Sequence, residues 1–211
     1  LLTGDIPTLT EVEELVVDFN NRRTIPQYVR NVIDAFPSES SPMAILSAAV
    51  MSLERESLFS TKYKQGMSKL DYWDATYEDA MNLLSKMPVI GAYIYNKLYH
   101  PEKGHRFCDP KLDLGANFAY MMGKDKPYDD VSRMYFIIHA DHESGNVSAH
   151  TAHLVASTLS DVYYANSAMI NGLAGPLHGL ANQEVLRWLQ GLRVEMGGKL
   201  PSEEEMKKYV W

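Results

Sequence analysis

The period of the apolar residues constrains this chain most. They recur at helical spacing between clear start and stop signals, and no stretch shows sustained period-two alternation bounded by turns. Thr8-Leu9-Thr10-Glu11 has capping-box spacing, with Val12, Leu15, Val16 and Phe19 following on one face. Ile25-Pro26 opens a second helix, since proline is tolerated at the first helical position. Val29, Val32, Ile33 and Phe36 form its buried stripe, and Pro37 stops it. Ser41-Pro42 opens a third helix running to about Ser57. It is apolar on more than one face, which fits either a core position or a subunit interface. Asp71 to Lys86 forms another helix. Pro88 either kinks it or starts a new one through Tyr99. A loop covers residues 100–110. Further helices are expected at 114–122, 128–140, 146–158, 163–170, 180–196 and 202–211. The fold class is therefore all-α.

Composition bounds the function classes. The 211 residues suit one or two domains. A net charge of −7 argues against a nucleic-acid partner, which usually meets a basic face. No apolar run approaches the ~20 residues of a membrane-spanning helix, so no membrane partner is expected. Cys108 is the only cysteine, which excludes an internal disulfide and favours a reducing compartment. It lies in a loop with no evident activating partner, as a structural thiol would. The Tyr72-Trp73 and Tyr93, Tyr95 and Tyr99 aromatics sit at helical spacings and are expected in the core. The chain opens on Leu1-Leu2 and stops at Tyr209-Val210-Trp211 inside an apolar pattern, so it is expected to be an internal piece of a longer protein.

Five of the 7 histidines fall between residues 139 and 178. His139 with His142, and His150 with His153, are each spaced i,i+3. Gly145 is an expected helix C-cap, and Asn146 or Ser148 an expected N-cap, so two helix ends with polar side chains should converge here. Three readings fit: a metal site, two core-lining histidine pairs, or an anion bound by His142 and the Asn146 segment at a helix N-terminus. The spacing matches no common zinc signature and there is no HExxH, so no metal is assigned. The stretch 171–183 is punctuated by Gly172, Gly175, Pro176 and Gly179, which places His178 in a turn just ahead of a helix starting near Leu180. Such a position favours a neutral imidazole that donates a hydrogen bond to a developing enolate oxygen. A helix–turn–helix joint with an incidental histidine fits the same pattern. No Walker motif, nucleotide-binding glycine fingerprint or GxSxG is present.

The segments 139–153 and 171–186 strongly resemble the citrate synthase family of the eukaryotic mitochondrial type. The likeness extends to Gly4–Pro7, Pro42–Ser57 and Tyr72-Trp73. The resemblance implies the all-helical citrate synthase fold, with residues 1–178 from a large domain and 179–211 beginning a small one. It implies an acyltransferase of the citrate (Si)-synthase type that condenses acetyl-CoA with oxaloacetate to citrate and CoA. That is the first step of the tricarboxylic acid cycle, in the mitochondrial matrix and without a cofactor. It also implies a homodimer through helices near 42–57 and 146–158. His178 matches the catalytic histidine that hydrogen-bonds the acetyl oxygen. His142 matches an oxaloacetate-binding histidine, and Asn146 lies in the same binding segment. The family's second catalytic histidine, aspartate base and substrate arginines fall beyond Trp211, so the isolated chain is expected to be inactive. The related 2-methylcitrate synthase, which uses propionyl-CoA, shares the motifs, and a non-catalytic helical assembly subunit would retain the fold.

Overall fold

The computed structural model describes residues 4–140 and 145–210. Among these residues there are eleven α-helices, short 3-10 turns and no strand. The chain divides into two compact units, residues 1–171 and 172–211.

In the first unit, α1 (Leu9–Arg22) starts on the expected capping box: the Thr8 hydroxyl accepts from the Glu11 N–H, and the Glu11 carboxylate accepts from the Thr8 N–H. Its outer apolar positions are not covered, since Val12 and Leu15 are exposed, whereas Val16 and Phe19 turn toward Pro88 and Leu114. Pro26 is the N-cap of α2 (Gln27–Ala35), one position before the first helical residue. The third helix is shorter than its apolar run: α3 (Pro42–Ser52) tightens into a 3-10 turn at Leu53–Glu56. Ser57 then caps α4 (Leu58–Lys64), a helix with no counterpart in the sequence reading.

The axis of the unit is α5 (Tyr72–Tyr99), 28 residues that run unbroken through Pro88. An interior proline removes one ladder hydrogen bond and costs about 3 kcal/mol. Burial on both sides of Pro88 offsets that cost, for Leu83, Ile90 and Ile94 enter the main core with Val29 and Ile33 of α2 and Ile45, Ala49 and Val50 of α3. Tyr163 and Ile170 of α9 (Val162–Leu173) complete this core. Small residues let α3 and α9 approach closely, and the Ser47 and Ser167 hydroxyls meet at 2.9 Å.

Helices α6 (Leu114–Met121) and α7 (Tyr128–Ile138) pack on one another. A Cβ on Gly115 would stand 2.8 Å from Arg133 Cγ, so glycine is what permits this approach. Next comes α8 (Val147–Ala156), on which Ser148 is the one buried residue. The second unit holds α10 (Ala181–Glu195) and α11 (Glu203–Val210), joined through Gly197 and Gly198 at positive φ. Within it, Leu192 is buried and the Trp188 and Tyr209 rings lie 6.0 Å apart.

Candidate active site

The two motif regions fall in different units, and each has its own local frame. In the second unit, α9 ends at Leu173 and the backbone folds into a bend before α10. Four backbone hydrogen bonds fix it. The His178 N–H donates to Gly175 O at 3.0 Å, the Leu180 N–H donates to the same carbonyl, and the Gly179 N–H donates to Leu173 O. The fourth closes onto the helix: the Ala181 N–H donates to His178 O. His178 therefore lies three residues ahead of α10, as the glycine punctuation predicts, with its ring half-buried.

The glycines serve the bend in a specific way. Neither Gly175 nor Gly179 has positive φ. A Cβ on Gly179 would instead lie 2.5 Å from Leu173 O and 2.7 Å from that leucine's side chain. Close packing of the chain on itself, not an unusual backbone angle, is what demands glycine next to His178. The imidazole is thereby carried on a backbone with little room to shift. That is what preorganised hydrogen-bond donation to a developing oxyanion requires.

In the first unit, Asn146 is the N-cap of α8, and its side-chain oxygen accepts from the Ala149 N–H at 2.9 Å and from the Ser148 hydroxyl at 2.7 Å. His142, the other predicted binding residue, lies outside the described residues. The reading of two core-lining histidine pairs is overturned for the three members that are described. His139 ends α7 exposed, stacked on Tyr135 at 4.0 Å with Nδ1 2.9 Å from the Tyr135 carbonyl. His150 and His153 are exposed on α8. Apolar helices flank them, so the exposure belongs to a whole helical face and not to these side chains alone. Among the described residues no group of three His, Cys, Asp or Glu side chains converges as a metal site would require.

The Cys108 thiol is half-buried against Met121, with the sulfurs 3.3 Å apart, and burial pushes its pKa up. It is thus a poor nucleophile. The aromatics of α5 divide: Tyr72 packs on Phe59 and Tyr63, whereas Trp73 and Tyr99 are exposed, contrary to the expected core placement.

Among the described residues the protein is all-helical, with one imidazole carried in a tightly packed bend ahead of a helix. The chain belongs to the citrate synthase family: the family's C-terminal domain matches residues 1–211. It is 48% identical over 213 residues to citrate synthase 4, mitochondrial, of Arabidopsis thaliana, covering 100% of this chain and 44% of the relative. It is 47% identical to a probable mitochondrial citrate synthase of Glossina morsitans morsitans, of which it covers 45%. The chain thus spans somewhat less than half the length of these relatives. Among solved structures it resembles citrate synthase from Pyrobaculum aerophilum, with a TM-score of 0.77 and 34% identity over 88% of this chain and 46% of that one. Citrate synthase from Thermotoga maritima MSB8, at 22% identity and a TM-score of 0.70 over 94% of this chain and 52% of that one, shares the fold.

Proposed function

We propose that these residues form part of an enzyme that condenses acetyl-CoA with oxaloacetate to give citrate and CoA, the entry reaction of the tricarboxylic acid cycle. The observation that carries the reading is the fixed His178 bend in a chain matched to citrate synthases along its whole length. Removing a proton from the thioester methyl builds negative charge on the carbonyl oxygen. An imidazole N–H held by the backbone stabilises that charge without having to reorganise. His142 binds oxaloacetate, assisted by the Asn146 segment at the start of α8, where first-turn N–H groups favour a carboxylate.

The large-domain segment is residues 1–178 and the small domain begins at 179. Two chains pair through helices near 42–57 and 146–158, and the exposure of most of α8 supports that pairing. The mitochondrial names of the relatives support a mitochondrial protein, and the chemistry belongs to the matrix. No cofactor is needed, because acetyl-CoA is consumed as a substrate. On this reading the 211 residues alone do not turn over.

The test is CoA release by the full-length protein. Release from acetyl-CoA that depends on oxaloacetate supports the proposal. Release that is faster with propionyl-CoA assigns 2-methylcitrate synthesis instead, and one methylene is worth only about 1–3 kcal/mol to a pocket. No release from either thioester leaves the non-catalytic assembly reading. For His142→Ala, calorimetry should show weakened oxaloacetate binding, and unaltered affinity would remove His142 from the site.

A further inference from the structure

A cavity of about 440 Å3 opens in the first unit beside the α1–α2 connection, α5 and the loop that carries Cys108. Small-molecule sites occupy roughly 300–1,000 Å3. Arg23, Arg30 and Arg106 line it, and no aspartate or glutamate does. Three arginines thus gather at one cavity in a chain whose net charge is −7. Among the described residues the paired arginines are Arg22, Arg133 and Arg187, so none of the cavity's three has a carboxylate partner. The Nε of Arg30 is buried without a hydrogen-bond partner. A bound anion would supply the missing acceptor.

Contacts among the lining residues and with their neighbours hold the walls in place. Arg30 lies over the Phe107 ring at 5.7 Å and Arg106 over Tyr120 at 5.5 Å, contacts that orient a guanidinium without neutralising it. The His105 ring stacks on Tyr93 at 3.6 Å, and the Tyr93 hydroxyl is anchored on Asp34. Asn117 accepts from the Asp109 N–H and donates to the Asp109 and Leu112 carbonyls, which ties down the loop carrying His105 and Arg106. Burial lowers the His105 pKa, so this ring adds a flat neutral surface. Val89 and Ala92 supply apolar lining.

We propose that this cavity of the first unit binds a small phosphorylated molecule with a flat apolar group. Guanidinium forks match phosphate oxygens in pairs, and a cavity lined by arginines without a carboxylate suits a dianion. The apolar lining beside the stacked His105 and Tyr93 suits a planar ring.

The experiment is calorimetric titration of the full chain with phenyl phosphate, inorganic phosphate and benzoate. Phenyl phosphate is expected to bind once per chain, at least about tenfold tighter than either of the others, since each probe lacks one half of the recognition. Arg23→Gln and Arg30→Gln should each weaken it at least about fivefold. Arg187→Gln, which alters a pair in the second unit, should leave it unchanged. Circular dichroism checks that each variant folds. If Arg30→Gln does not, Arg23→Gln decides the outcome, because its guanidinium makes no ion pair that the fold needs. Equal binding of benzoate, unchanged affinity in the folded arginine variants, or displacement of phenyl phosphate by coenzyme A would each overturn the proposal.

Discussion

Lys86 brings its ammonium to a position only 5% exposed, with Glu56 3.9 Å away as its ion-pair partner. Burial is the main force lowering its pKa; Arg22 adds to the effect and Glu56 opposes it. The unfolded chain therefore holds this proton more tightly than the folded one. The ammonium costs stability below its depressed folded pKa, and the cost fades as pH rises toward the ordinary lysine value of about 10.4. Lys86→Met should stabilise the chain by about 1 kcal/mol at neutral pH. Denaturant titrations should show that gain shrinking by pH 10, and a gain independent of pH would refute the burial argument. Burial acts the same way on the charged form of Asp79, raising its pKa although the hydrogen bonds it accepts oppose the shift. It is fully buried, yet it accepts from the Leu58 N–H at 2.8 Å, the Phe59 N–H at 3.1 Å and the Ser57 hydroxyl at 2.9 Å. Asp79→Ala strands these donors and should cost about 2–4 kcal/mol, read from the shift in denaturation midpoint.

At the scale of elements, that same carboxylate explains what the sequence hides. Helix α4 has 7 residues, too few to show a period. Its start is capped in part by Asp79, some twenty positions later in the chain, so the signal for α4 is tertiary. Pro88 misleads for a related reason: its penalty is local, while the core contacts that outweigh it come from α2, α3 and α9. Where the signal is local, the sequence is legible. Thr8 and Glu11, Asn146, and the glycines before α10 all mark boundaries that the structure keeps. The arginine-lined cavity is not legible in the sequence because its parts come from four separated segments, and nothing in the spacing of Arg23, Arg30 and Arg106 joins them. Two glycines carry predictions. Gly115→Ala forces Arg133 away from α6 and should cost about 1–3 kcal/mol by overpacking. Gly179→Ala drives a methyl into the Leu173 carbonyl, so the bend must open. In the full-length protein it should lower turnover while circular dichroism stays helical. Undiminished turnover would show that His178 does not depend on this packing.

At the scale of the whole molecule, apolar surface is left on several helices. Ile137 is 74% exposed on α7 and Leu154 is 64% exposed on α8. A monomeric surface rarely tolerates such faces, and the proposed dimer gives the α8 face an occupant. Leu154→Glu should then shift the full-length protein toward monomer in sedimentation velocity, and an unchanged dimer would move the interface elsewhere. The proposed chemistry depends on one imidazole held in the bend ahead of α10. The measurement that tests this is the kcat for CoA release by His178→Ala in the full-length protein, with oxaloacetate affinity followed by calorimetry. A fall on the order of 10²–10³ in kcat with oxaloacetate binding retained is the predicted result. Turnover equal to the unaltered enzyme would contradict it.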